Sequence, residues 1–419
     1  MSGIGDRIRE LHDSSVLRAA TGLGGAEVPG SVPGGAVEKS APAGARRPVI
    51  GVIGGDVPIE IIEACGAHAF RVSAADREIG REAVELLGTT VDSTFHSILD
   101  RILAGEFGFL RGLIVSRDCQ ASLRLFYVLR MLAKQGRAVP DVHLVDLLHL
   151  PRESTRDYNA GQLAQLADTV AAWTGTEITA TALHEAREVR GRLGSALRAL
   201  RASRAEGAVP GATALRLYAL AQTDAPADCL TWVTALLDEH GSSGPGLDTR
   251  TATTVTGGTP GRPAGSRLRV FLTGSTVDRV PVYDGLESAG VLIAGEDHNW
   301  GDPVADLWDI PTAATDLPTA YTALAEHRLR LGPMAQASGL SDRARFSAAC
   351  ARRCGAQVVL SVGRRNDPAP GWDRPGLIRE LGPDMRVVAL PIAAHIWSAD
   401  ELGTAVELLI REDYEVTAR

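Results

Sequence analysis

The feature that most constrains this fold is a pattern that occurs in both halves of the chain. In the first half, an apolar run at residues 48–53 is followed by Gly54, Gly55 and then helical spacing over 58–65. In the second half, the run at 268–272 ends near Gly274, and helical spacing follows at 283–288. Short apolar runs that alternate with helices indicate parallel strands covered by helices. The pattern therefore predicts an α/β protein.

Further strand candidates extend this alternation through each half. They lie at residues 67–72, 112–115, 142–145, 291–293, 357–362 and 386–390. We find no strict sequence repeat, but both halves follow one plan of strand, glycine turn, helix, strand and polar loop. The predicted fold class is α/β, with two doubly wound lobes built on parallel sheets, plus a helical insert and a cleft between the carboxyl edges of the strands.

Changes in composition predict five segments. Residues 1–46 contain a short helix near 8–17 and are otherwise Gly- and Pro-rich, so we expect a flexible tail. Residues 47–155 form the first lobe, and the Ala-, Leu- and Arg-rich residues 156–240 form the helical insert. The Gly/Ser/Thr/Pro stretch at 241–266 is a linker, and 267–419 form the second lobe.

Composition excludes several functional classes. The chain has 419 residues, enough for two or three domains, and a net charge of −8 without a basic stripe, which disfavours a nucleic-acid partner. No apolar run approaches the 18 or so residues that a membrane span needs. The five cysteines are scattered rather than framed, so we expect a reducing, cytoplasmic location without a disulfide scaffold.

Cys119 is the first candidate site residue. It follows the predicted strand at 112–115 and precedes a helix in which Leu123, Phe126 and Met131 recur at helical spacing. The turn after a strand of an open α/β sheet is where ligands bind. The amino end of the following helix is expected to favour a thiolate at this position.

From about residue 47 to 409, these segments resemble the 2-hydroxyacyl-CoA dehydratase and benzoyl-CoA reductase subunit family. The resemblance rests on residues 58–66 followed by Arg71, on the loop at 112–119, on the helical stretch 158–200 and on the strand at 269–275. Each motif is loose, and their order and spacing together carry the resemblance.

The resemblance implies a cofactor and partners. Members of the family hold a [4Fe-4S] cluster with three cysteines from three loops, and thiolates are the ligands that cluster iron prefers. They work as pairs of paralogous subunits on acyl-CoA substrates, by reductive radical chemistry, with electrons from an ATP-dependent iron–sulfur activator. In this chain Cys119 matches the first cysteine position and is the implied metal ligand.

The chain departs from the family at the other two positions. Asn299, in the loop 295–301, occupies the second cysteine position, and Asn366, before Asp367-Pro368, occupies the third. Carboxamides are poor ligands for cluster iron. The segment 391–402 also lacks the family's Gly-Gln and Thr-Arg elements. His298 can substitute as a ligand, since imidazole binds iron in some clusters.

Other substitute ligands have weaker support. Asp297 and Asp367 can supply oxygen, and Cys350 and Cys354 lie on one face of a predicted helix at 342–354. Free cysteines at such positions are usually core residues, as are Cys65 and Cys229.

Three hypotheses follow. The chain is a cluster-degenerate subunit whose paralogous partner carries the complete cluster, with Cys119, His298, Asn299 and Asn366 lining the remnant of the cluster site. Alternatively, it holds an unusual cluster through Cys119 and non-cysteine ligands, or it is a two-lobed binding or scaffold protein without catalysis. We expect the loops at 295–301 and 363–368 to meet Cys119 in one cleft under any of these.

Overall fold

The computed structural model describes residues 3–21, 47–241, 267–310, 314–332, 338–390 and 397–410. The predicted tail beyond residue 21 and the predicted linker beyond residue 241 lie outside these ranges, as does the segment 391–396.

Two four-stranded parallel sheets form the framework of the described residues. The first sheet has the spatial order β2-β1-β3-β4, and the second has the order β6-β5-β7-β8. The strands are β1 (Val49–Ile53), β2 (His68–Arg71), β3 (Leu110–Ser116), β4 (Val142–Val145), β5 (Leu268–Gly274), β6 (Val291–Glu296), β7 (Val358–Val362) and β8 (Arg386–Ala389). The predicted fold class, two α/β lobes with parallel sheets, is confirmed.

Fifteen α-helices are found in the described residues, and they connect and cover the strands. They are α1 (Ile4–Asp13), α2 (Ser15–Thr21), α3 (Ile59–Ala64), α4 (Arg81–Leu87), α5 (Ser93–Leu103), α6 (Gln120–Lys134), α7 (Glu153–Thr174), α8 (Ala180–Ala205), α9 (Gly211–Thr223), α10 (Pro226–Gly241), α11 (Val280–Ser288), α12 (Leu317–Arg330), α13 (Leu340–Arg353), α14 (Ala369–Leu381) and α15 (Ala399–Ile410).

Burial of the central strands explains why they read as continuous apolar runs. All five residues of β1 and all five of β7 are buried, because helices cover both faces of each sheet. In register, Ile50 lies opposite Gly112, and Leu272 lies opposite Leu360. The continuous apolar pattern therefore encodes two-sided burial.

The helical segment α7–α10 packs against both lobes. α8 contacts α3 of the first lobe as well as β6 and a 3-10 helix (Asp302–Asp306) of the second. Arginines along α8 make this connection: Arg190 pairs with Glu63 of α3, and Arg204 pairs with Glu296 at the end of β6. The high arginine content of this segment is thus used for ion pairs that join it to the two lobes.

The first residues of the chain are packed onto this helical segment. The sequence predicted one short helix within a flexible tail, whereas the structure has α1 and α2, and α1 lies against α9. Ile8 and Leu11 are buried in the core, and Arg18 pairs with Asp224 beside α9. Residues 4–21 are therefore part of the folded unit.

A further sequence expectation is met at the start of α15. Ser398 and Glu401 form the predicted capping box before α15: Glu401 accepts from the Ser398 N–H at 2.7 Å, and the Glu401 N–H donates to Ser398 Oγ at 3.2 Å. All five cysteines are free thiols. None of the helices in the described ranges has the length and apolar character that a bilayer crossing requires.

Candidate functional site

The site lies where the strand order of each sheet reverses. β1 and β3 flank the reversal in the first sheet, and β5 and β7 flank it in the second. Crevices at such reversals bind ligands in open α/β sheets. Gly54 and Gly274 end the central strands with φ of 99° and 97°, and a Cβ atom would collide with Ser116 Oγ at the first and with the Val362 carbonyl at the second. Only glycine permits these two turns.

One cavity of about 180 Å³ lies between the lobes at these turns. Residues of both lobes line it, including parts of all three loops that the sequence predicted to meet. The polar and aromatic lining residues that matter below are Arg71, Asp92, Asp118, Cys119, Asp278, Asp297, His298, Asn299, Trp300, Arg364 and Asp367.

Cys119 lies at the amino end of α6, where the sequence placed it, but its thiol is not activated. Ser122 Oγ accepts from the Cys119 N–H at 3.3 Å and donates to the Cys119 carbonyl at 2.8 Å. Burial raises the pKa of the Cys119 thiol to about 11, and backbone N–H groups at the start of α6 offset this only in part. The helix start favours a thiolate, as expected, but desolvation outweighs this effect and the net shift of the pKa is upward.

Asp118 is a site residue that the sequence analysis missed. Its carboxylate accepts from the Gly55 N–H at 2.6 Å and from the Ser116 hydroxyl. It is buried without an ion-pair partner among the described residues. Burial, with a smaller contribution from the nearby Asp56, raises its pKa to about 6. The signal was local, since Asp118 precedes Cys119 in the strand-end turn.

Asp297 contributes a second carboxyl group from the opposite lobe. It accepts from the hydroxyls of Thr273, at 2.8 Å, and Ser347. Burial raises its pKa to about 6 as well. Two carboxyl groups that exchange protons near neutral pH thus face one cavity, an arrangement suited to general acid–base chemistry on a ligand held between them.

His298 lines the cavity, yet both of its ring nitrogens are engaged by protein. Nδ1 accepts from the Trp300 N–H at 3.3 Å, which leaves the proton on Nε2, 2.9 Å from the Tyr283 hydroxyl. Burial lowers its pKa to about 3, so the ring is neutral. A metal ion would have to displace one of these two hydrogen bonds.

Asn299 and Trp300 are held by an arginine of the first lobe. Arg71 Nη1 donates to the Asn299 carbonyl at 2.9 Å and to the side-chain oxygen of Gln222. The Arg71 guanidinium carbon lies 4.6 Å from the centre of the Trp300 ring, within cation–π range. The loop 297–300 of the second lobe is thereby fixed against β2 of the first.

A second inter-lobe contact is the ion pair of Asp92 with Arg364. Arg364 Nε and Nη2 donate to the two Asp92 oxygens at 2.7 and 2.6 Å. Burial acts to raise the pKa of Asp92, but the Arg364 guanidinium outweighs it and holds that pKa below its ordinary value. Asp92 also caps α5 by accepting from the Thr94 N–H at 3.0 Å.

Asn366 does not line the cavity. Its Nδ2 donates to the carbonyls of Thr89, at 2.9 Å, and Val91, at 3.1 Å, so its side chain points to the first lobe. Its φ of 65° is left-handed, a conformation that asparagine tolerates better than most residues. The structure therefore brings Cys119, His298 and Asn299 to one cavity and places Asn366 beside it.

The residues at the cavity do not fit a [4Fe-4S] cluster. Cys119 is the one thiol in the lining, and the neighbouring candidates are the engaged His298 and a carboxamide. Cys350 and Cys354 lie in a hydrophobic core with Phe271 and Leu377. Within the ranges that the structure describes, no three His, Cys, Asp or Glu side chains are arranged to hold a metal ion.

Arg71 and Asp92 were also missed, because no pattern in the neighbouring sequence indicates their contacts between the lobes. Arg71 entered the sequence analysis only through the family resemblance, and Asp92 not at all. Asp92 and Arg364 are 272 positions apart, so their pairing is invisible in a single sequence.

Comparison with known proteins identifies the family. The model of the 2-hydroxyglutaryl-CoA dehydratase D-component family matches residues 55–385, most of the 419-residue chain. No curated protein matches the chain. The matched range contains six of the eight described strands, β2 to β7, and all of the lining residues named above. β1 and Gly54 lie just before it, and β8 lies just after it. The chain belongs to the 2-hydroxyglutaryl-CoA dehydratase D-component family.

Proposed function

We propose that this chain is the cluster-degenerate subunit of a 2-hydroxyacyl-CoA dehydratase-like enzyme. In this proposal a paralogous subunit carries the complete [4Fe-4S] cluster, and an ATP-dependent iron–sulfur activator reduces it. The observation that carries the proposal is the set of potential iron ligands at the cavity, where a single thiol lies beside an engaged imidazole and a carboxamide. Soft thiolates, which cluster iron requires, are not supplied there in sufficient number.

The chain's own contribution would be the polar cavity that lies where the strand order of each sheet reverses. The pKa values of Asp118 and Asp297, about 6, let these carboxyl groups exchange protons near neutral pH, and Arg71 fixes the loop that carries Asn299. These residues would position an acyl-CoA-type ligand or stabilise the neighbouring subunit's site.

The alternative, an unusual cluster on Cys119 and His298, is less well supported. It requires loss of the hydrogen bond from His298 to Tyr283 or from Trp300 to His298.

The test is the iron and sulfide content after strictly anaerobic purification. The chain is purified alone and also co-expressed with a three-cysteine paralogue, and a C119S variant is carried in parallel as the matched control. We expect no iron in the isolated chain, an iron-bearing complex with the paralogue, and no change in that iron content with C119S.

Two outcomes contradict the proposal. The first is an isolated chain that contains about four irons, the content of a cubane cluster, and loses them with C119S. This result would support the single-chain cluster. Absence of any complex with the paralogue would support the non-enzymatic binding or scaffold protein.

A further inference from the structure

We infer that the cavity between the lobes contains a binding subsite for the carboxylate of a small anionic ligand, with Arg71 as the recognising residue. This inference goes beyond the proposed function and does not rest on it, since it concerns binding to the isolated chain.

Arg71 is a buried charge without a direct ion-pair partner among the described residues. The residue is 5% exposed and lines the cavity. None of the described carboxylates lies within ion-pair distance of it. Its Nε has no hydrogen-bond partner, and no described residue accepts from Nη2. The Nε atoms of Arg204, Arg216 and Arg328 also lack a hydrogen-bond partner, so the feature that distinguishes Arg71 is the missing carboxylate. A buried charge without an ion-pair partner is costly.

The other buried arginines show that this fold normally supplies a partner. Seven arginines are buried among the described residues, and six of them have a carboxylate within ion-pair distance. Those six are Arg101, Arg187, Arg190, Arg204, Arg216 and Arg328. Arg71 is the exception, and it is also the member of this set that faces the cavity.

The guanidinium of Arg71 is held in place by neutral groups. Nη1 donates to the Asn299 carbonyl and to Gln222, and the planar group lies over the Trp300 ring. These contacts fix its orientation without cancelling its charge. The edge formed by Nε and Nη2 has no acceptor among the described residues. A guanidinium binds a carboxylate through two parallel hydrogen bonds from this edge.

The surroundings favour a carboxylate over a phosphate. Asp118 and Asp278 are the acidic groups that act on Arg71, and Asp297 lines the same cavity. A doubly charged phosphate would be repelled by them more strongly than a singly charged carboxylate. Ile53, Val72 and Phe95 supply an apolar part of the lining for a short carbon chain, in a volume of about 180 Å³.

Binding to the full chain, purified without iron or paralogue, tests the inference. Saturation-transfer NMR titrations would use three probes: butyrate, its uncharged isostere butyramide, and inorganic phosphate. We expect butyrate to bind at least tenfold more tightly than butyramide, and more tightly than phosphate. Equal binding of butyrate and butyramide, or tighter binding of phosphate, would overturn the inference without use of any variant.

Substitution then assigns the binding to Arg71. R71Q is expected to weaken butyrate at least tenfold and to leave butyramide unchanged, whereas R71K restores binding only in part because lysine lacks the planar fork. The matched control is R117Q, at an exposed arginine two residues before Cys119, and it should leave all three probes unchanged. Butyrate binding that R71Q leaves intact would also refute the assignment.

Discussion

The turns after β3 and β7 occupy the same place in the two sheets, yet the charged side chain has no ion-pair partner in the first turn and has one in the second. After β3, Asp118 is buried among neutral donors, and its pKa rises to about 6. After β7, Arg364 reaches across to Asp92 in the other lobe, and the pKa of Asp92 falls. One turn keeps a carboxyl group able to exchange protons at the cavity, and the other uses its charge to join the lobes. Equivalent positions in the two lobes thus differ in whether the charged group stays at the cavity or joins the lobes.

The largest effect is expected from D92N. Asparagine can still cap α5, but Arg364 becomes an uncompensated buried cation, so the free energy of unfolding should fall by about 3 to 5 kcal/mol at pH 7. Urea denaturation measures it, with D146N in the exposed pair with Arg117 as a control that should change by less than about 1 kcal/mol.

The pH dependence of this effect has a defined sign. The folded pKa of Asp92 lies below its ordinary value, so the ion pair stabilises the fold above that value, about 4, and is lost as the pH falls through the folded pKa. The difference between wild type and D92N should therefore narrow below about pH 4. A difference that is the same at pH 7 and at acid pH would show that the charge is not the cause.

The same change from Asp to Asn in the turn after β3, D118N, should raise the free energy of unfolding instead of lowering it. The folded pKa of Asp118, about 6, lies above its ordinary value of 3.8, so ionisation at pH 7 opposes folding. D118N removes this cost, and its Oδ1 still accepts from the Gly55 N–H, while its NH2 group donates to Ser116 Oγ in place of the hydrogen bond that Asp118 accepted from Ser116. The free energy of unfolding should rise by up to about 2 to 3 kcal/mol at pH 7.

Denaturation at two pH values checks the D118N prediction. The wild type is most stabilised by this group below about pH 4, where Asp118 is protonated in both states, and loses that stability as the pH rises through about 6. The gain from D118N should accordingly vanish near pH 4. Destabilisation by D118N at pH 7 would mean that the carboxylate has a partner that its described contacts lack.

Asn366 tests the inter-lobe contact beside the ion pair. N366G removes the hydrogen bonds to Thr89 and Val91 but tolerates φ of 65°, so we expect a loss of about 1 kcal/mol. N366A also places a Cβ in the left-handed conformation, and should lose roughly 1 kcal/mol more. Equal stability of the two variants would show that the backbone relaxes out of this conformation.

The smallest effect is expected at Cys119. With a pKa of about 11, its thiolate is about a hundredfold scarcer at pH 7.5 than that of an ordinary cysteine, so iodoacetamide should modify it at least tenfold more slowly than free cysteine. Mass spectrometry of the Cys119 peptide measures this rate, with C119S as the blank. Rapid alkylation at pH 7.5 would indicate an activated thiol.

Local patterns were enough for the framework of the fold. The strands at 48–53 and 357–362 were predicted to within a residue of β1 and β7, and the capping box before α15 was found from Ser398 and Glu401. Helix α5 was missed, although Asp92 is an N-cap residue followed by apolar helical spacing. The meeting of Cys119, His298 and Asn299 at one cavity was expected from the family resemblance, and the structure places all three in the lining.

The sequence by itself determined two α/β lobes and the turns at which their ligand cavity opens, because strand burial, glycine turns and helix caps act over a few neighbouring residues. Only the tertiary structure decided the charge states at those turns. The protonation of Cys119, Asp118 and His298 depends on desolvation by distant elements, and the pairing of Asp92 with Arg364 joins residues 272 positions apart. Only the tertiary structure leaves Arg71 without an ion-pair partner, since this depends on which carboxylates the fold places within ion-pair distance of it.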